Sequence, residues 1–479
     1  MELIDFSNRQ NRFIREDDVS DGYIEKMKAV VLSDNLYYPS YHIAPPHGLL
    51  NDPNGLYQDN LGIYHIFHQW FPLGTVHGLK SWRHLTTADF VHYSDHGVAV
   101  EPNDFMDCCG CYTGMALKDK EDIHFYYTGI RKEKDSLLPS TVHAILKDDR
   151  IEKLEVIEDV DFTKTTDNFR DPFVYRSNEK YYMITGGESP DSKGVLLFSE
   201  GDNPFEFVHK GMLKLMDYPF GYMLECPNYF EEDAKGVLIF SPQGIESVGK
   251  YDFRNVFSVV YAVGEKINTE TLEFKHTNFY ELDKGFDFYA PQIFKDNQDR
   301  QILIGWLGNS KTEYPSDKFL WAHMLTLPRE ITIINDRISQ SPLPEVNNLR
   351  EYSIDLSETA ALEKAFELEF LFENKFTIKI INKEGDFLEI GCDDSRYWLD
   401  RSHTTHLFNE QYGQVRYAKK LLRETQTARI FVDHSSIECF FDDGVTVFTG
   451  RFYLDGDWAL QFSDIMPTCY KMKNIVVSA

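Results

Sequence analysis

The feature that most constrains this fold is an internal repeat in the first 340 residues. Each copy has a short strand-like head, a polar turn and a second, aromatic-rich strand. The five copies begin at Asn51, Cys111, Arg170, Glu225 and Tyr289, so that successive starts lie 60, 59, 55 and 64 residues apart. That spacing leaves room for two more strands per copy. Four-stranded units at a regular period are typical of a β-propeller, and a long β-sandwich with unrelated hairpins is the alternative.

The segments on either side of the repeat have different patterns. Within residues 1–36, the amphipathic stretch from Ser20 to Asn35 predicts a short helix. Residues 341–349 (SPLPEVNNL) predict a linker, and residues 350–479 form closely spaced alternating strands that are typical of a β-sandwich. We therefore predict an all-β fold: a short N-terminal helical segment (1–36), a five-bladed β-propeller (37–340), the linker and a C-terminal β-sandwich.

Composition argues against several kinds of partner. The 77 Asp and Glu residues exceed the 49 Lys and Arg residues by 28, so the surface repels nucleic acid and anionic membranes. The chain shows neither a membrane-spanning apolar run nor a secretory signal pattern. The seven cysteines, and the pair His65 and His68, lack the spacing of a zinc site. We expect a cytoplasmic protein with free thiols and no metal, cofactor, nucleic-acid or membrane partner.

Three of the five repeat heads carry a carboxylate, namely Asp52, Asp171 and Glu225. Because the first strand of each propeller blade lines the central channel, we expect the three to converge at one end of it. Cleavage of a glycosidic bond needs a proton donor and an ionised carboxylate, and a further polar group can hold sugar hydroxyls. Each motif alone is an ordinary turn sequence. Carboxylates at equivalent positions of three separate copies favour an active site.

Several longer segments resemble glycoside hydrolase family 32, the invertases and fructosidases. They follow the family's order: HGLLNDPNG (47–55), FRDP (169–172), ECP (225–227), GFDFYAPQ (285–292), LTLPRE (325–330) and RIFVDHSSIE (429–438). The resemblance spans residues 38 to 479 and implies a five-bladed propeller followed by a β-sandwich. It also implies Asp52 as nucleophile, Glu225 as acid/base and Asp171 as stabiliser of the transition state. The implied reaction is a retaining double displacement without a metal.

The same resemblance implies a set of residues that line a fructose pocket. These are Asn51, Gln69, Tyr112, Thr113, Arg170 and Trp306. Two steps depart from the family pattern. Residues 113–115 read TGM where the family usually has Ser-Gly-Ser, and residues 82–84 read WRH where it usually has Trp-Gly-His. The first departure keeps one hydroxyl, and the second puts a cation in place of glycine. From sequence alone, Trp306 fits blade packing as well as sugar stacking.

The segment around His77 is most similar to the family's bacterial sucrose-6-phosphate hydrolases, since invertases and levanases more often carry Trp there. A substrate phosphate adds about two negative charges, which an acidic protein must offset locally. The loop 77–84 carries Lys80 and Arg83, and we expect at least one of them to bind that phosphate. The alternative is a solvated basic patch. We also expect His77, at the start of this loop, to contact the substrate.

The predicted function is therefore that of a retaining β-fructofuranosidase that hydrolyses sucrose 6-phosphate, and also sucrose. One alternative is a fructosidase for unphosphorylated sucrose or short fructans, and another is a non-catalytic sugar-binding propeller. In each case the predicted partner is a small sugar, and no oligomeric state is predicted.

Overall fold

The repeat corresponds to five antiparallel sheets arranged as the blades of a propeller. The computed structural model describes residues 3–33, 36–134, 136–356, 362–421 and 424–478. The first strand of each sheet contacts the first strand of the next, and the fifth sheet's first strand contacts that of the first, which closes the ring. The predicted propeller is thus confirmed, and each repeat head lies on the first strand of its blade.

Each blade has four antiparallel strands in sequence order. Their bounds are as follows: blade I, Gly48–Gln58, Tyr64–Phe71, Ser81–Thr87 and His92–Val100; blade II, Cys111–Asp119, Asp122–Glu133, Ser136–Lys147 and Arg150–Asp159; blade III, Phe169–Ser177, Lys180–Glu188, Gly194–Gly201 and Val208–Met212; blade IV, Met223–Glu232, Lys235–Gln243, Val260–Glu265 and Tyr280–Glu281; blade V, Tyr289–Lys295, Gln301–Leu307, Arg329–Ile334 and Arg337–Pro342. The blades pack through an aromatic and aliphatic core that runs from blade to blade.

Three further short strands add to the propeller sheets. Trp321–Ala322 pairs in parallel with the first strand of blade I, and Met324–Leu325 pairs with the second strand of blade V. Val476–Ser478 pairs in parallel with the outermost strand of blade I. The end of the segment predicted as sandwich therefore returns to the propeller and extends its first sheet.

The predicted β-sandwich is confirmed as two facing sheets. In spatial order, one sheet contains Arg350–Ile354, Thr468–Met472, Ala365–Phe372, Gln426–Asp433, Ser436–Phe441 and Thr446–Arg451, and the other contains Val415–Lys419, Arg396–His403, Phe387–Cys392, Phe376–Asn382 and Trp458–Ser463. Alternate side chains of both sheets, such as Phe366, Ile378 and Ile430, are buried between them. This alternation is the pattern that the sequence showed.

The N-terminal segment contains the predicted helix, observed as Tyr23–Ser33. Its buried residues Tyr23, Met27 and Val31 are four apart and form one face against the propeller. The predicted last residue, Asn35, lies outside the described residues. Two 3₁₀ helices, Arg9–Phe13 and Glu16–Asp18, precede it. Among the helices of the described ranges, none has both the length and the apolar character needed to cross a bilayer.

The segment predicted as a linker is structured. The last propeller strand ends at Pro342, and a 3₁₀ helix, Pro344–Leu349, leads directly into the sandwich. Val346 and Leu349 of this helix are buried. Three other 3₁₀ helices are Asp317–Phe319, Glu410–Tyr412 and Asp442–Gly444. The connection between the two domains is therefore a packed element.

A network of buried charges joins the propeller to the sandwich. Arg329 of blade V donates through Nη2 to Glu438 of the sandwich, at 2.6 Å. The ring of His42 lies between Asp433 and Glu438, at 2.8 and 2.9 Å. Burial alone would lower the pKa of His42, but its hydrogen bonds to these two carboxylates raise it to about 9. His42 is therefore positively charged at neutral pH. Each cation of the network, His42 and Arg329, thus contacts a carboxylate of opposite charge.

Candidate active site

One cavity of about 360 Å³ lies where the first strands of the blades meet. It is lined by every predicted site residue except Arg83. The lining residues are Asn51, Asp52, Gln69, His77, Lys80, Tyr112, Thr113, Arg170, Asp171, Glu225, Cys226, Gln243, Tyr289, Trp306 and Ser310. Four of these were not predicted from the sequence: Cys226, Gln243, Tyr289 and Ser310. The structure thus brings the three carboxylates of separate blades into one cavity.

A shared backbone irregularity turns the head residues out of regular strand geometry. In blades III, IV and V, the pairing of the first strand skips two residues, the second of which is a proline: Pro172, Pro227 and Pro291. In blade I, the pairing skips Asn51 and Asp52 and resumes at Pro53. Asp52 and Asp171 each directly precede a proline and each lie within the skipped residues of their strand. Glu225 lies one position earlier, where blade III has Arg170. The expectation that all three carboxylates occupy equivalent positions is therefore wrong for Glu225.

Asp52 is held by hydrogen bonds on both carboxylate oxygens. The Thr113 hydroxyl donates to Oδ2, and the Asn51 side-chain amide donates to Oδ1 at 3.0 Å. Gln69 connects these two donors, since its Oε1 accepts from Asn51 at 2.8 Å and its Nε2 donates to the Thr113 hydroxyl at 2.5 Å. Burial raises the pKa of Asp52, while the positive charge of Lys80 and the two hydrogen bonds act to lower it. The carboxylate is thus fixed in one orientation within a polar ring.

Asp171 is buried beside Asp52 and takes its hydrogen bond from the next blade. The backbone N–H of Cys226 donates to Asp171 Oδ2 at 3.0 Å. The Cys226 sulfur lies 3.5 Å from the same oxygen and 3.9 Å from Asp52 Oδ2, so it separates the two aspartates. Burial and the negative charge of Glu225 raise the pKa of Asp171, against the opposing effect of Arg170. A carboxylate with few hydrogen bonds remains free to accept them from a ligand.

Glu225 is oriented by three donors from three different strands. Arg170 Nε donates to its Oε1 at 2.7 Å, and both Gln243 Nε2 and the Tyr289 hydroxyl donate to its Oε2 at 2.5 Å. Burial and the Glu225 charge raise the pKa of Tyr289 well above its ordinary value, so this phenol stays a donor. The two carboxyl oxygens of Glu225 are therefore held in a fixed plane.

The loop between the second and third strands of blade I contributes His77 and Lys80 to the cavity. Burial lowers the pKa of Lys80 to about 8, although the charges of Asp52, Glu225 and Asp171 oppose that effect. Its Nζ lies 5.1 Å from the centre of the Tyr112 ring. The His77 ring packs edge-on against the Trp306 ring, with the ring centres 5.8 Å apart. Trp306 Nε1 donates to Nδ1 of His323 at 3.1 Å. A neutral His77 and a charged Lys80 therefore lie side by side.

Arg83 does not belong to this cavity, so the expectation that it binds a substrate phosphate there is corrected. It lies on the strand Ser81–Thr87, where neighbouring side chains point to opposite faces. Its guanidinium donates to Asp95 and lies 4.6 Å from the centre of the Trp70 ring. It lines a separate cavity together with Tyr38 and His68. Arg83 is thus a structural ion-pair partner.

We expect Arg83→Met to lower the free energy of unfolding without changing substrate preference. The substitution leaves the partly buried Asp95 without its cation, at a cost of about 1–2 kcal/mol. Denaturant unfolding measures the loss, and kcat/KM for phosphorylated and plain sucrose measures the preference. A selective loss of activity on the phosphorylated sugar would contradict the placement of Arg83.

Comparison with known proteins identifies the class of enzyme. The family description "Glycosyl hydrolases family 32 N-terminal domain" matches residues 42–342, and the corresponding C-terminal domain matches residues 331–464. The chain belongs to glycosyl hydrolase family 32, and it is a glycoside hydrolase.

Individual relatives agree with this assignment. The chain is 37% identical over 452 residues to a sucrose-6-phosphate hydrolase of Vibrio alginolyticus, covering 93% of this chain and 92% of that one. A sucrose-6-phosphate hydrolase of Staphylococcus xylosus is 34% identical, with 93% of each chain covered. The structure of the Lactobacillus gasseri sucrose-6-phosphate hydrolase matches with a TM-score of 0.92 and 29% identity, covering 98% of this chain and all of that one. A Bombyx mori β-fructofuranosidase variant in complex with sucrose matches with a TM-score of 0.81 and 28% identity, covering 96% and 98% of the two chains.

Proposed function

We propose that this protein is a retaining β-fructofuranosidase that hydrolyses sucrose 6-phosphate to glucose 6-phosphate and fructose. The observation that carries the proposal is the convergence of Asp52, Asp171 and Glu225 in one cavity. The similarity to sucrose-6-phosphate hydrolases over more than nine-tenths of the chain supports the choice of substrate. Because all three carboxylates are present, a non-catalytic sugar-binding propeller is the weaker alternative.

In the proposed reaction, the Asp52 carboxylate attacks the anomeric carbon of the fructosyl unit while Glu225 protonates the glycosidic oxygen. The glucose 6-phosphate leaves, and a fructosyl ester of Asp52 remains. Glu225, now ionised, takes a proton from water, which attacks the same carbon and releases fructose. A retaining enzyme needs the two carboxyl groups about 5–5.5 Å apart, because no water has to fit between them in the first step.

We assign Asp171 to fructose binding. Its carboxylate is buried and accepts one backbone hydrogen bond, which leaves lone pairs for two neighbouring sugar hydroxyls. As positive charge develops on the fructosyl ring, these hydrogen bonds and the nearby negative charge become more favourable. Trp306 and Tyr112 supply apolar surfaces on which the sugar ring packs.

The position of Lys80 supports a different task from phosphate binding. Its buried ammonium group lies in the field of all three carboxylates, and its charge acts to lower the pKa of Asp52. We assign Lys80 the task of keeping Asp52 ionised, and hence nucleophilic, at neutral pH.

We expect Lys80→Met to move the acid limb of the pH profile of kcat/KM upward by about one pH unit. Burial already raises the pKa of Asp52, and loss of the opposing cation raises it further. At a given acid pH, a larger fraction of the enzyme then has a protonated Asp52 and is inactive. The effect should be equal for sucrose and sucrose 6-phosphate. Lys80→Arg, which keeps the charge, serves as the matched control. An unchanged acid limb, with KM raised for the phosphorylated sugar alone, would restore the phosphate role.

We also propose a cytoplasmic location. All seven cysteines are free thiols, which suits a reducing compartment. A sugar phosphate carries about two negative charges and does not cross a bilayer unaided, so its hydrolase acts where the substrate is formed.

A comparison of three substrates tests the proposed function. The purified protein is incubated separately with sucrose 6-phosphate, sucrose and a short fructan, and released reducing sugar is measured over a range of concentrations. A higher kcat/KM for sucrose 6-phosphate is the expected result. Equal values for the two disaccharides would favour a fructosidase for unphosphorylated substrates, and no turnover of any fructoside would favour a binding module.

A further inference from the structure

The two cations that line the cavity face its three carboxylates. Arg170 is bonded to Glu225, and Lys80 lies among Asp52, Asp171 and Glu225. A phosphate on the glucosyl unit extends away from the fructosyl carbon that these carboxylates surround. It therefore requires positive charge at the rim of the cavity rather than at its base.

The N-terminal segment places the backbone of one cation, Arg12, against the loop that carries His77 and Lys80. The backbone N–H of Leu79, between His77 and Lys80, donates to the Arg12 carbonyl at 2.7 Å. Arg12 Nε donates to the Phe6 carbonyl at 3.1 Å, and the Phe6 ring packs against Phe71 of blade I. These contacts fix the segment on the loop that carries His77. Within the described part of the chain, no carboxylate forms an ion pair with Arg12, whose two terminal nitrogens remain available.

Blade V supplies a second cation on the same rim. Ser310 lines the cavity, and Lys311 follows it in a turn fixed by a 3.0 Å hydrogen bond from the Lys311 N–H to Asn309 Oδ1. Lys311 is exposed and, among the described residues, forms no ion pair. In a chain with a net charge of −28, two cations at the rim of one cavity create a local field suited to an anion.

The third feature of this region is the side chain of His77. Its Nε2 is out of contact with solvent and has no hydrogen-bond partner among the described residues, although the ring lines the cavity. Burial, and then the positive charges of Lys80, Arg12 and Lys311, lower the pKa of His77 well below its ordinary value. The ring is thus neutral and has one nitrogen without a hydrogen-bond partner among the described residues.

We propose that Arg12 and Lys311 bind the phosphate of the substrate, with His77 supplying a hydrogen bond beside them. This inference rests on the proposed function and names the residues that select the phosphorylated sugar. The planar guanidinium of Arg12 can form two parallel hydrogen bonds to a phosphate, and Lys311 acts as a mobile point charge. The N-terminal segment, which lies outside the propeller, would thus complete its substrate site.

The test compares Arg12→Gln, Lys311→Gln and the double variant with Arg9→Gln. Arg9 is an exposed cation in the same 3₁₀ helix as Arg12, so it controls for loss of charge. Each test variant should raise KM for sucrose 6-phosphate about 5- to 10-fold, and the inhibition constant of glucose 6-phosphate by a similar factor. Values for sucrose should change much less. Added salt should raise KM for sucrose 6-phosphate in the wild type more than in the double variant.

The outcomes separate the inference from the proposed function. If the wild type does not prefer sucrose 6-phosphate, the proposed function fails, whatever the variants do. If it does, and the double variant keeps that preference, the rim assignment alone is overturned. Equal losses on both sugars would also overturn it, since they indicate a change in pocket shape. Lys311 lies outside the N-terminal segment, so Lys311→Gln remains informative even if Arg12→Gln undocks that segment.

Discussion

Asp52→Asn is expected to lower kcat at least about 10⁴-fold on every fructoside, because an amide cannot form the fructosyl ester. The folded structure should be preserved. Asn is nearly the same size, and its side-chain oxygen can still accept the hydrogen bond from Thr113. Burial raises the pKa of Asp52, which means that the folded protein disfavours its ionised form at neutral pH. That gain is offset by the loss of one hydrogen bond, because the new NH2 group cannot accept from the Asn51 amide. The melting temperature of the variant should therefore stay close to that of the wild type.

The measurements are initial rates of sugar release and thermal unfolding. Asp443→Asn is the matched control, since Asp443 is an exposed turn residue of the sandwich whose left-handed backbone Asn also tolerates. The control should keep wild-type kcat. If Asp52→Asn retained more than about a hundredth of the activity, another group would have to be the nucleophile.

Glu225→Gln should lower kcat on sucrose 6-phosphate about 10²- to 10⁴-fold, by removing both the proton donor and the later general base. The two roles can be separated. A fructoside with a good leaving group needs no protonation, so formation of the fructosyl enzyme should stay fast and appear as a burst. Azide needs no deprotonation, so it should restore turnover and yield fructosyl azide.

Glu232→Gln provides the control for this variant, because Glu232 is exposed on the same strand. It should behave as the wild type on all substrates. Equal losses on activated and natural substrates, without rescue by azide, would show that Glu225 orients the pocket rather than transferring protons. The Arg170, Gln243 and Tyr289 contacts would then need a different explanation.

The part of the site that sequence could predict is the part that local chemistry determines. Each repeat head lies on a short strand with its own turn signals, and propeller geometry then brings the first strands together. Asp52, Asp171 and Glu225 were recognisable because each stands beside a proline-containing head. Tyr289 occupies the position of Glu225 in blade V, but a tyrosine at the start of a repeat does not by itself indicate a site residue.

Other features depend on information that the linear pattern lacks. Lys80 and Arg83 are cations close together in the sequence, yet a strand begins between them and fixes the face on which Arg83 lies. Gln243 ends a strand and belongs to no motif. Arg12 lies beside the loop of His77 and Lys80 only because the N-terminal segment docks on blade I, a long-range contact that no local spacing encodes.

The buried charges between propeller and sandwich give a meaning to two of the signature segments. Arg329 belongs to LTLPRE, and Glu438 and Asp433 belong to RIFVDHSSIE. The charged residues of these two segments therefore bind within the interface between the domains and not in the sugar site. Separating them would leave a buried charge unpaired, at a cost of about 3–5 kcal/mol. The boundary between propeller and sandwich near residue 350 is therefore unsuitable as a simple exchange point for engineered chimeras. A chimera that exchanges only the propeller or only the sandwich must keep matching partners for this network of buried charges. Otherwise we expect its two domains to unfold in separate transitions.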